Sequence, residues 1–80
     1  MEDNGNTEEF NRQKLTYLWG EIVGPVINQQ TIRRYVDGDI LHVYIASASL
    51  KSELAFMVEP LVKTLNEAVG AHVISKIVIH

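Results

Sequence analysis

The chain has 80 residues, 46% of them hydrophobic and 21% charged, a composition that folds as one domain and leaves no room for a second. The absence of cysteine excludes disulfides, thiolate metal sites, iron–sulfur clusters and cysteine nucleophiles. A net charge of −3 excludes a general attraction to phosphates, so any nucleic-acid binding has to come from a local patch.

Residues 1–7 (MEDNGNT) have no apolar period and read as a disordered lead-in to a single domain over residues 8–80. The start is polar and acidic, and no apolar run reaches the ~20 residues that cross a bilayer. The expectation is a cytoplasmic protein with no membrane partner.

From about Glu8, Leu15, Leu18, Trp19, Ile22 and Val23 recur at three and four residues and paint one face of a helix. Gly24-Pro25 interrupts it, because a residue before proline avoids the α region while proline suits the first position of a new turn. Val26 and Ile27 are expected to continue the apolar face beyond the bend.

Thr31–Val36 and Ile40–Ser47 are rich in β-branched and aromatic residues and flank Asp37-Gly38-Asp39, a hairpin signal. Leu41, Val43 and Ile45 alternate with His42, Tyr44 and Ala46 and are expected in the core. A second helical stripe runs through Leu50, Leu54, Met57, Leu61, Leu65 and Val69, with Ser49 as N-cap and Gly70 as stop. Pro60 falls within it and predicts either a kink near Phe56–Pro60 or two shorter helices. Val73–His80 is the last strand, with Val73, Ile77 and Ile79 on one face and Ile74, Lys76 and Val78 on the other.

The order predicts an α+β domain, αββαβ, with a three-stranded, mainly antiparallel sheet. The third strand is expected beside the first, and both helices on one face, leaving the other partly open.

No catalytic constellation stands out. His42, His72 and His80 lack metal-ligand spacing, Ser47, Ser49 and Ser52 lack the frame of a nucleophile elbow, and the glutamates Glu21, Glu53, Glu59 and Glu67 are explained by solvated helix faces. No metal, cofactor or small-molecule substrate is expected. The candidate nucleic-acid-binding residues are Arg33, Arg34 and Tyr35 on the first strand, Tyr44 beside His42 on the second, Lys51 on the second helix and Lys76 on the last strand, since arginine and tyrosine on an open sheet stack bases and neutralise phosphates. The same residues also suit an ordinary strand surface. A protein-interaction module, including a homodimer joined through a strand edge, is the alternative.

Trp19-Gly-Glu-Ile-Val-Gly24, Thr31, Gly38-Asp-Ile-Leu-His-Val43, Ser47, Glu53-Leu54 and Leu65-Asn-Glu-Ala-Val-Gly70 resemble the DciA-like family over Leu15 to His80. That resemblance implies a bacterial KH-like domain that binds DNA and assists loading of the replicative helicase, with DNA and the helicase as partners.

Overall fold

The computed structural model of the chain describes residues 4–80. In chain order it contains α1 (Asn4–Val23), α2 (Pro25–Gln30), β1 (Thr31–Asp37), β2 (Ile40–Ile45), α3 (Ala48–Ala55), α4 (Val58–Val69) and β3 (Lys76–Ile79). The first helix starts at Asn4, ahead of the expected Glu8; residues 1–3 of the expected lead-in lie outside the described residues.

Gly24 separates α1 from α2 with φ of 94°, a left-handed conformation that an L side chain resists. Its N–H closes α1 on the Gly20 carbonyl (3.1 Å), and its carbonyl accepts from Asn28 N at 3.0 Å to open α2. Pro25 occupies the first turn of α2, where its missing N–H costs no intrahelical bond.

The hairpin closes at Asp37 opposite Ile40, with Gly38 at φ 65° in the turn. A register shift lies between Thr31 and Arg33, so Ile32 is the extra residue of a bulge. Leu41, Val43 and Ile45 are 2% exposed or less, as their alternation predicts.

The Pro60 conflict resolves as two helices, broken at Phe56–Met57. Pro60 then sits in the first turn of α4, where the N–H it lacks has no partner within the helix anyway. Ser47, rather than Ser49, caps α3 by accepting from Leu50 N at 3.3 Å. Gly70 ends α4 in the αL region, φ 87°. The break also turns Met57 out of the apolar stripe, and Val26 points to solvent on α2; both are exposed.

The sheet differs from the expected one. Its order is β1-β2-β3, with β1 and β2 antiparallel but β2 and β3 parallel. A helical crossover returns the chain in the direction it left, and α3–α4 supply it. The most apolar strand, β2, thereby takes the central position, flanked on both sides, while β1 keeps a free edge.

The last strand is shorter than expected because Asn66 holds the segment before it. Its Oδ1 accepts from Val73 N (2.9 Å) and Ile74 N (3.1 Å), and its Nδ2 donates to Ile74 O at 2.8 Å. This turns Ile74 into the core, fully buried, instead of onto the open face.

One core results. Leu15 and Trp19 of α1, Leu54 of α3, Leu61 and Leu65 of α4 and Ile74 cover the inner residues Leu41, Val43, Ile45 and Ile77 of the sheet. The helices therefore lie on one face, and the opposite face is left to the alternating outer residues.

Candidate nucleic-acid interface

Cross-strand partners point to the same side of a sheet, so the register names the open face directly. Arg33 lies opposite Tyr44 and Tyr35 opposite His42. Ile40 is level with Lys76 and His42 with Val78, which brings His80 beside Tyr44. The outer face thus carries Arg33 and Tyr35 from β1, His42 and Tyr44 from β2, and Lys76 and His80 from the β3 end.

Four rings meet there. Tyr44 and His80 stack with centroids 4.3 Å apart and planes within 11°, and Tyr35 and His42 stack at 4.9 Å and 17°. Diagonally, His42 and His80 are 5.2 Å apart and Tyr35 and Tyr44 6.4 Å. His42 Nδ1 and His80 Nε2 share a hydrogen bond of 2.9 Å, in which one imidazole donates and the other accepts. The Arg33 guanidinium carbon sits 4.8 Å from the Tyr35 centroid and 5.9 Å from that of Tyr44, within cation–π range.

The side-chain hydrogen bond with Tyr44 is the main cause that raises the Tyr35 phenol above its ordinary value. Tyr35 is therefore neutral at physiological pH and sets no negative charge under Arg33. The cluster offers ring perimeters, phenol and imidazole hydrogen-bonding groups, and a guanidinium fixed over the rings. Such groups hydrogen-bond the edges of unpaired bases and neutralise phosphates. Asp37, in the same row as Ile40 and Lys76, is the carboxylate on this face.

The six expected residues do not form one surface. Arg33, Tyr35, Tyr44 and Lys76 share the open face. Arg34 pairs in register with the core residue Val43 and so points to the helical side, where it lines a groove with Gly20 and Asn28. Lys51 is exposed on α3, an element of the helical layer, and no ring contact or hydrogen bond joins it to the open face. His80 is not among the expected residues, although its alternation with Lys76 and Val78 puts it on their face; that it meets Tyr44 is set by the parallel register of β3.

Among the described residues, no three His, Cys, Asp or Glu side chains converge as a metal site, and no helix is long and apolar enough to cross a membrane.

A family model described as "Dna[CI] antecedent, DciA" matches residues 1–79. No curated protein and no solved structure matches the chain.

Proposed function

We propose that this chain, which belongs to the DciA family, is a non-enzymatic accessory domain of bacterial DNA replication. In this reading it has a KH-like fold, works in the cytoplasm, assists loading of the replicative helicase and holds single-stranded DNA on its open sheet face. The observation that carries the DNA part is the ring cluster of Tyr35, His42, Tyr44 and His80 with Arg33 over it. The chain has no GXXG sequence, so the loop with which KH domains clamp a nucleic-acid backbone is not available, and the sheet face takes its place. The family supports the replication and helicase part.

A second reading is a protein-docking module without DNA binding of its own, favoured by the net charge of −3 and by Asp37 on the same face. Fluorescence anisotropy of labelled single- and double-stranded DNA, at low and physiological salt, separates the two. The DNA reading expects single-strand binding that falls roughly tenfold between about 50 and 200 mM salt, as two or three phosphate contacts imply. No binding at low salt sinks it for this chain and leaves the protein-docking reading.

A further inference from the structure

The outer edge of β1 lies at the end of the sheet, with β2 its only partner strand among the described residues. Which of its backbone groups face outward follows from β2: the Val43 carbonyl accepts from His80 N at 2.8 Å, so at Val43 the bonding groups turn toward β3. Its partner Arg34 must then turn its own N–H and C=O away from β2. Two residues on, Val36 does the same, because bonded and non-bonded pairs alternate along an antiparallel ladder.

This unpaired edge runs beside α1, and the space between them is open. A recess of about 230 Å³ between Gln13 and Val36 and a groove of about 600 Å³ between Gly20 and Asn28 share Thr16 and Arg34 as lining residues. Asn28 packs its side chain onto Gly20, where a Cβ would come within 2.6 Å of Oδ1, so that oxygen is buried in the wall of the groove and is not open to a ligand. Arg34, half-buried at the junction, has no carboxylate partner among the described residues, and Glu21 lines the far end of the groove without a cation.

We propose that this edge and groove form a docking site for an extended peptide segment of a partner protein, which adds to β1 as a fourth strand. Main-chain bonds to Arg34 and Val36 give such a complex its affinity, and alternate side chains give it specificity. Those that point to the helical side are two residues apart. One is a carboxylate that meets Arg34 in a charge-assisted pair. The next is a lysine or arginine that pairs with Glu21 on the groove wall. The site lies on the opposite side of the sheet from the ring cluster and does not depend on the DNA reading.

The test is selection of displayed random octapeptides on the full chain, followed by amide hydrogen exchange with the best synthetic peptide. The expected result is enrichment of an acidic residue two positions from Lys or Arg, with exchange at the Arg34 and Val36 amides slowed tenfold or more. Arg34→Gln, the milder change, weakens binding about tenfold, as loss of a charged pair implies, and Arg34→Glu turns the acidic preference basic; circular dichroism verifies that both variants fold. The proposal is overturned by no enrichment, by peptides indifferent to Arg34, or by protection of a different surface. It is equally overturned if the free chain dimerises in sedimentation with these amides already protected, since the edge is then taken by a second copy.

Discussion

The indole N–H of Trp19 donates to the Thr31 hydroxyl at 3.1 Å, and that hydroxyl donates in turn to the Ile27 carbonyl at 2.8 Å. Trp19 is fully buried and Thr31 nearly so, so the relay satisfies the polar atom of the largest core side chain while tying α1 to the end of α2 and the start of β1. Thr31→Val keeps the shape and removes the acceptor. An orphaned buried donor costs roughly 1–3 kcal/mol, and urea denaturation followed by Trp19 fluorescence should show a loss of that size. Trp19→Ala should cost about 3–5 kcal/mol, a large share of a small domain's stability.

Asn66 replaces backbone pairing for the segment ahead of β3. Asn66→Ala removes three hydrogen bonds, each with a net worth of about 0.5–1.5 kcal/mol. A loss of roughly 2–4 kcal/mol is expected, with faster amide exchange at Val73 and Ile74. Asn66→Asp keeps the acceptor but sets an oxygen instead of a donor against Ile74 O, so relative to Asn66→Ala it should gain stability as the pH falls and the protonated carboxyl donates again. A difference between the two variants that does not change with pH would contradict this division of roles.

Gly20 and Asn28 are coupled by space. Gly20→Ala gains about 0.8–1 kcal/mol of helix propensity but places its Cβ against the Asn28 side chain. The single substitution is therefore expected to be neutral or destabilising. In an Asn28→Ala background the same change should stabilise by up to about 1 kcal/mol. A double-mutant cycle measures the difference, and additivity would show that the two side chains do not compete.

The two adjacent arginines should separate in DNA binding. Arg33→Ala removes the cation over Tyr35 and Tyr44, and Tyr44→Ala removes a phenol and the ring that packs against His80 beneath that cation. Each should weaken single-strand binding roughly tenfold. Arg34→Ala, on the other side of the sheet, should leave it unchanged. Anisotropy titrations in which Arg34→Ala is as damaging as Arg33→Ala would count against the open face.

Tyr35 should ionise later than an ordinary tyrosine. The raised value comes first from its hydrogen bond with Tyr44, so Tyr44→Phe should bring the Tyr35 transition back down in an alkaline ultraviolet titration. Because the folded value lies above the unfolded one, the neutral phenol's contribution to stability is present below the ordinary tyrosine pKa and is lost as the pH climbs through the raised value. An unchanged titration in Tyr44→Phe would place the cause elsewhere.

Local chemistry made much of this legible in advance. Gly24, Gly38 and Gly70 accept a positive φ and Pro25 fixes its own, so the bend, the hairpin turn and the helix stop follow from those residues whatever surrounds them, while Pro60 by itself allows either a kink or a break. The alternation of Leu41, Val43 and Ile45 marks a buried face because side chains in a strand repeat every two residues. What the sequence could not decide is which strand lies beside which, since pairing is a long-range choice set by how α3 and α4 pack on the sheet rather than by any property of Val73–His80 alone. That choice makes the sheet mixed, leaves β1 with a free edge and brings His80 onto Tyr44, whereas the split of Arg33 and Arg34 to opposite sides of the sheet follows already from their being neighbours in one strand.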